Sequence, residues 1–565
     1  MEFITLAVTN PFNPSMTKTI IRITLTLFAW YTLVILNTIT AQETPYHIDH
    51  ESVYDFIDEL ANQQLIEINS AVKPYSRRQI ANWLITAQKS AQLTQRQKRE
   101  IDFYLKEFNR EITPNNREGK RFDLFYYNDS LFRITANIIA GIEARQYEEL
   151  VHHRWNGGEV YGAIGKHIAF YGSLRDNHEN KQLTGKQALT QQRGAVYKGY
   201  YKKSDYSEAR GGVTYSWDWG SVGFHKDHFA WGNNYHGANI LSAHQPSTTF
   251  ISLKAKPTRW LEYNYIHSWL VSEVVDSTRS YGSGYEGRRE VYVDKYLAAA
   301  LFTITPMKNL NLSIGNAIIY ADTKFNPSYL IPFLFYKSVD HTYNGSYNNI
   351  GHNSQMFFDI SSRQIKNLHL YTSVFIDEIY IGQMFNQEKQ SNFLSYKIGA
   401  RLSNLLPNTS FTAEYTHNNP LVYTHIYPST TFTSNGYGMG HYLRDNAEEL
   451  YLAIRYKPLR GLDLQLSYTH ARKGEEYQQV IDSEDFSAHP EINLEEPRWG
   501  LPFIKETLWQ KRAVKLAISY QIINDLFIFA QAEHQDISGP RAADFSLPHE
   551  LTGNKSFWFG FNFGF

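Results

Sequence analysis

The 565-residue sequence contains no cysteine. A disulfide framework, a thiol nucleophile and thiolate metal sites are therefore excluded. So is a lipoprotein, because no cysteine can carry the acyl chains. Neither charge is in excess: 55 basic residues face 56 acidic ones, for a formal net charge of −1. That balance argues against a nucleic-acid binder, which needs a basic face. Long apolar runs are scarce as well. A helical membrane protein repeats stretches of about 20 apolar residues, and here one such stretch occurs, near the N-terminus. Aromatic residues, by contrast, are abundant: 40 Tyr, 34 Phe and 11 Trp make up 15% of the chain. Mean hydropathy is −0.44 although 42% of residues are hydrophobic. A chain that is polar on average, rich in aromatics and short of apolar runs has the profile of a membrane β-barrel, which hides its apolar residues at every second position.

The apolar stretch reads as a secretory signal. Lys18 and Arg22 form a basic start, Ile23 to Ile39 is apolar, and Ala41 before Gln42 supplies a small residue for cleavage. Residues 1–15 have no role in that pattern, which makes Met16 a candidate start. The rival reading is an N-terminal anchor helix. Residues 42–121 then read as a helical periplasmic region and linker. Val53, Phe56, Ile57 and Leu60 share one helical face. Ser76 with Gln79, and Thr94 with Gln97, have capping-box spacing ahead of two further apolar stripes. Such short amphipathic helices must pack on one another or on something else.

From residue 122 to 565 the period changes from 3.6 to 2. Ile134, Ala136, Ile138, Ala140 and Ile142 alternate with mostly polar neighbours. So do Leu394 to Leu402, Leu462 to Tyr468 and Val514 to Tyr520. Successive strand residues face opposite sides, so these strands have one apolar and one wet face. A large sandwich also alternates, but here segments of membrane-spanning length recur over about 440 residues with no helical pattern between them. Tight turns at 306–309, 458–461 and 524–525 contrast with long polar connections at 178–210, 270–290, 325–355, 417–447 and 473–510. That asymmetry is expected of short periplasmic turns and long outer loops. At about 25 residues per strand and connection, the region holds roughly 16–18 antiparallel strands.

The end of the chain is the most specific signal. Phe557, Phe559, Phe561, Phe563 and Phe565 alternate with Trp558, Gly560, Asn562 and Gly564. In a soluble protein this strand would be an aggregation-prone edge. In a barrel it meets lipid on one face and closes against a first strand beginning near Leu131. A terminal aromatic strand of this kind also resembles the signal read by the barrel-assembly machinery, so Phe557–Phe565 is the expected contact with that partner.

Two groups could contact sugar, which needs flat rings for stacking and polar groups for hydroxyls. One comprises Trp217, Trp219, Trp231, Tyr235 and His236; the other comprises Tyr336, Lys337, Asp340 and His341. The competing use of such aromatics is an interfacial girdle, which is the commoner one. The wet-face charges Lys397, Arg401, Glu414, Arg455, Lys457, Asp463, Lys515 and Glu533 are mixed in sign and read as crossed ion pairs in the lumen. Asp377 and Glu378 are adjacent on a strand and point to opposite sides, as do Glu448 and Glu449, so neither pair is the two-carboxylate device of a glycosidase. His152-His153 and His225 with His228 lack a recognised ligand spacing. No catalytic residue, metal site or cofactor is expected.

Several segments, taken in order, resemble the Wzi family of outer-membrane capsule-assembly proteins. They are residues 53–61 followed by Lys73-Pro74-Tyr75-Ser76-Arg77, the stretch from Trp231-Gly232 through Ala243 into 250–255, and Asn326-Pro327-Ser328-Tyr329 through Tyr336 with Asp340-His341. Phe375-Ile376-Asp377-Glu378-Ile379 and Tyr415-Thr416-His417-Asn418-Asn419-Pro420 complete the set. The resemblance covers most of the chain beyond the signal. It implies a barrel of 18 strands, closed by periplasmic helices and outer loops, that holds polysaccharide to the outer membrane as a surface lectin and is not an enzyme. The expected partners are surface polysaccharide and outer-membrane lipid. The alternatives are a channel for small solutes and a scaffold for an export system.

Overall fold

The alternating segments pair into a closed antiparallel barrel of 18 strands. In this computed structural model residues 43–113, 123–198, 204–283, 287–344, 351–379, 392–477 and 500–564 are described. The expected secretory signal at 1–41, residues 114–122 of the expected linker and Phe565 lie outside them. The first strands are β1 (Phe132–Gln146), β2 (Leu150–Ile164), β3 (Ile168–Glu179), β4 (Asp205–Trp217), β5 (Gly220–Asp227) and β6 (Thr248–Ala255). Next come β7 (Leu261–Val275), β8 (Tyr292–Met307), β9 (Leu310–Ala321), β10 (Asn353–Ser362), β11 (Leu368–Glu378) and β12 (Phe393–Ser403). The last are β13 (Thr409–Asn418), β14 (Ala447–Tyr456), β15 (Leu462–Lys473), β16 (Trp509–Ile523), β17 (Leu526–Ser538) and β18 (Lys555–Phe563).

Closure occurs where the terminal aromatic strand predicts it. β18 pairs with β1, Phe557 opposite Gln146 and Phe563 opposite Ala140. A short strand, Phe125–Asn128, covers the remaining edge of β1 opposite residues 133–136. Among the described residues every barrel strand is thereby paired on both sides and no long edge is left open. At one end of the barrel all eight connections have two to five residues. At the other, the β1–β2 turn is short and the remaining connections run from 14 to 35 residues. Ile138, Ile142, Val514, Leu516, Ile518, Phe557 and Phe559 are exposed on the outer face. That apolar exterior is what a lipid-facing wall requires.

Three helices, α1 (Glu51–Asn62), α2 (Arg77–Gln88) and α3 (Gln95–Glu107), pack around Phe56, Leu60, Ile80, Leu84, Ile101 and Phe108. Ser76 accepts a hydrogen bond from Gln79 N, and Thr94 with Gln97 forms both halves of a capping box. Their second partner is the short-turn end of the barrel. Asp55 receives Arg401 at 2.6 Å and Arg455 and Lys457 at 2.5 Å. Arg363 reaches Asp58 at 2.8 Å and Asn62 at 2.7 Å. Tyr104 donates to Gln521 at 3.2 Å, and Arg460 lies over Phe103. Several wall charges that read as crossed ion pairs thus serve to seat the helices. Other pairs stay within the wall, such as Lys397 with Glu414 at 3.4 Å and Arg455 with Asp463 at 3.5 Å.

Candidate functional site

The interior divides into a packed half and a polar half. The packed half lies along β6–β13. Residues 228–247 turn inward from the end of β5 and are tied to the wall at several points. Asn233 N donates to Asp359 at 2.8 Å, Tyr235 N donates to Glu414 at 2.6 Å, and Lys397 donates to the His236 carbonyl at 2.9 Å. Ala230–Trp231 also forms a two-residue ladder with Val72–Lys73, so the N-terminal region and the inward loop share a small sheet. Around them Trp231, Ile240, Leu241, Tyr423, Phe432 and Met439 pack against inward residues of the wall such as Leu297, Leu301 and Phe357.

The polar half lies along β16–β18 and β1–β2. Lys511 and Glu533 pair at 3.2 Å. Arg145 pairs with Glu143 at 2.7 Å and lies over the Trp558 ring at 4.0 Å. His153 sits 4.7 Å from the Trp155 ring. The indole nitrogens of Trp155 and Trp558 are buried with no hydrogen-bond partner among the described residues. Gly141 makes room for Trp155: a Cβ there would lie 2.2 Å from Trp155 Cζ2. Flat indoles beside Arg, Lys and Glu can stack on a ring and bond its hydroxyls. The sequence carried one sign of this arrangement, since Trp558 takes the opposite parity to the phenylalanine column.

The residues predicted to contact sugar do not form one site. Trp217 ends β4 and Trp219 lies in the tight β4–β5 turn at the short-turn end, in edge contact at 5.1 Å. They share the outer face with Tyr215, and Trp219 is 52% exposed. This is girdle geometry. Trp231, Tyr235 and His236 lie inside the barrel. Tyr235 contacts His369 at 2.8 Å under the Arg401 guanidinium, and His236 stacks on Tyr451 within 3.6 Å of Glu449. The adjacent Glu448 pairs instead with Arg472.

The third group lies on the outside of the wall. Residues 322–344 leave β9 and fold back along the outer faces of β7–β9. There Phe325, Tyr329, Leu334, Tyr336 and Val339 cover Tyr263, Tyr265, Ala298, Ala300, Ile318 and Tyr320. The segment reaches nearly to the short turns, where Tyr263 donates to the Pro332 carbonyl and Phe333 packs on the Tyr263 ring. Polar groups beneath it are satisfied: Asn316 accepts from Tyr336 N at 3.0 Å, and His267 lies 3.1 Å from the Tyr320 hydroxyl. Left bare against lipid, those groups would each carry a desolvation cost. Tyr336 and Asp340 are therefore buried, Asp340 against His352 at 2.7 Å, whereas Lys337 and His341 are exposed.

An exposed aromatic and basic group does occur at the long-loop end. Short strands Tyr281–Ser283 and Gly287–Arg289 pair there. Tyr281 is 53% exposed and accepts from Arg289 at 3.2 Å.

No family model and no curated protein matches the sequence. Among solved structures, the chain is similar to Wzi from Escherichia coli, described as an outer-membrane protein involved in group 1 capsule assembly and a carbohydrate-binding β-barrel. That match has 12% identity and a TM-score of 0.54 over 90% of this chain and 98% of that one. OccAB2 from Acinetobacter baumannii matches at 10% identity and a TM-score of 0.41, over 77% of this chain and 99% of that one. OprD from Pseudomonas aeruginosa matches at 10% and 0.39, over 78% and 96%. The likeness to Wzi is one of fold: both chains form a β-barrel.

Proposed function

We propose that this protein is an outer-membrane barrel of the Wzi kind that binds surface polysaccharide, and that it does not conduct solutes. The observation that carries this reading is the filled interior. Residues 228–247 and 421–439 pack one half of the lumen, and α1–α3 lie across the short-turn end. A barrel of this strand number would otherwise hold an aqueous path. Its work would then lie at the long-loop surface, where Tyr281 and Arg289 offer a ring and a cation to an acidic glycan. The secretory signal and recognition of Phe557–Phe565 by the assembly machinery belong to the same reading. Purified barrel should retain capsular polysaccharide on a glycan-coated surface, and Tyr281→Ala with Arg289→Ala should reduce retention without altering folding. In planar bilayers it should pass no steady current. A stable conductance together with no glycan retention would favour the channel reading, for which the polar half of the lumen is the supporting feature.

A further inference from the structure

One polar cluster joins three parts of the chain that are far apart in sequence. His47 belongs to the segment ahead of α1, Asp227 ends β5, and His228 opens the inward loop. All three side chains are buried. His47 Nε2 lies 3.2 Å from His228 Nδ1 and 3.6 Å from Asp227 Oδ1, which is 3.7 Å from His228 Nδ1. The point equidistant from these three atoms is about 2.0 Å from each, the bond length zinc makes to imidazole nitrogen and carboxylate oxygen.

Carboxylates stand near the outer ring nitrogens, and His47 Nδ1 also accepts from Asp49 N at 3.2 Å. His47 Nδ1 is 3.4 Å from Asp49, and His228 Nε2 is 3.4 Å from Glu208. A carboxylate behind each imidazole is the arrangement that orients a metal-binding histidine and raises its basicity. Cations are close as well. Arg210 is 3.3 Å from Asp227 Oδ1, Arg193 pairs with Asp49 at 2.7 Å, and Arg175 is 3.4 Å from Glu208. Arg193 and Arg175 thus have carboxylates outside the triad, whereas Arg210 and the His228 backbone N–H share Asp227 Oδ1 with the proposed site. Asp227 lines two cavities, one shared with His47 and the other with His228.

We propose that His47, Asp227 and His228 bind a divalent transition-metal ion of the zinc class, which latches the N-terminal segment to the barrel wall and the inward loop. Two imidazoles and one carboxylate suit zinc and its neighbours rather than calcium or magnesium. The test uses the full chain in detergent, purified without a histidine tag and stripped with a chelator. Titrated with zinc, wild type should take up one tightly held equivalent, lost in His47→Ala and in His228→Ala but kept in His225→Ala. Asp49→Asn should weaken binding by about tenfold or more. Zinc should also slow proteolysis of the segment before α1 in wild type alone. Should either alanine variant fail to fold, cobalt(II) added to wild type gives a second reading, because a tetrahedral site produces visible absorption bands. No tight equivalent in wild type, uptake unchanged in both folded alanine variants, or no cobalt bands would each overturn the proposal.

Discussion

The wall at β7–β9 and the wall at β16–β18 are built from the same kind of strand and differ in what covers them. At β16–β18 the outer face, with Val514, Leu516, Phe557 and Phe559, is bare, and the inner face carries Lys511, Lys515 and Glu533. At β7–β9 protein lies on both sides. Residues 228–247 and 421–439 press on Leu297, Leu301 and Ile319 from within, while residues 322–344 cover Ala298, Ala300 and Ile318 from without. A strand buried on both faces needs apolar residues at every position rather than every second one. Tyr296-Leu297-Ala298-Ala299-Ala300-Leu301-Phe302 has that composition, with small residues at its centre where chain approaches from both sides. The two walls show that alternation reports one covered face, and its loss reports two.

The comparison can be broken most forcefully from inside. Trp231→Ala empties the centre of the packed half and should cost about 3–5 kcal/mol. A melt in detergent should show a large fall in midpoint, and an unchanged midpoint would mean that the inward loop adds no stability. A finer division uses one strand and one face. Ile318 is fully buried under the outer segment, whereas Ile314, two turns of the pleat away, is 46% exposed. Ile318→Ala should cost about 2–5 kcal/mol and Ile314→Ala clearly less. Equal losses in a denaturant titration would show that residues 322–344 do not cover the wall in the folded protein.

Acid tests how the helices are seated. Burial holds His50 down at about 3, so the seated segment keeps this imidazole neutral while the released segment takes up a proton below about pH 6.5. Seating should therefore weaken as pH falls from about 6.5 toward 3, because the released form binds more protons. Asp55 adds to the effect at the lower end. Burial opposes its charge, but Arg401, Arg455 and Lys457 outweigh that and hold its carboxyl well below the ordinary range. Its contribution is present above about pH 4 and is lost as pH falls through the depressed value. Limited proteolysis of residues 43–113 at stepped pH should show protection lost toward acid. Protection that instead rises as pH falls would contradict the seating. The smallest expected effect lies in the polar half. Gly141→Ala forces the Trp155 ring to move and should cost about 1–3 kcal/mol, with a shift in tryptophan emission. No spectral change would mean that Trp155 does not rest on Gly141.

Much of the fold was legible because a barrel writes its wall into local periodicity. The closing strand, its partner near residue 131, the tight turns expected at 306–309 and 524–525, and the capped helices at 77 and 95 follow from neighbouring residues alone. The candidate sugar contacts were less legible, since aromatic content does not tell which face a ring takes. Trp217 and Trp219 fall on the outer wall, Trp231 to His236 inside, and Tyr336 with Asp340 beneath an outer cover. The His47, Asp227 and His228 cluster had no sequence signature: His225 with His228 lacks a recognised ligand spacing, and His225 turns to Tyr171 and Ser252 instead.

What the sequence by itself determined is the terminal phenylalanine column, the alternation behind it and the helices before it, because each depends on residues a few positions apart. Only the tertiary structure decided where the long connections go. Residues 228–247 turn into the lumen and 322–344 turn out along the wall, although both are aromatic-rich segments that leave the same end of the barrel. Their destinations depend on the faces waiting for them: inward leucines and acceptors such as Glu414 and Asp359 in one case, outward tyrosines with Asn316 and His267 in the other. Those faces exist only once distant strands have been brought side by side.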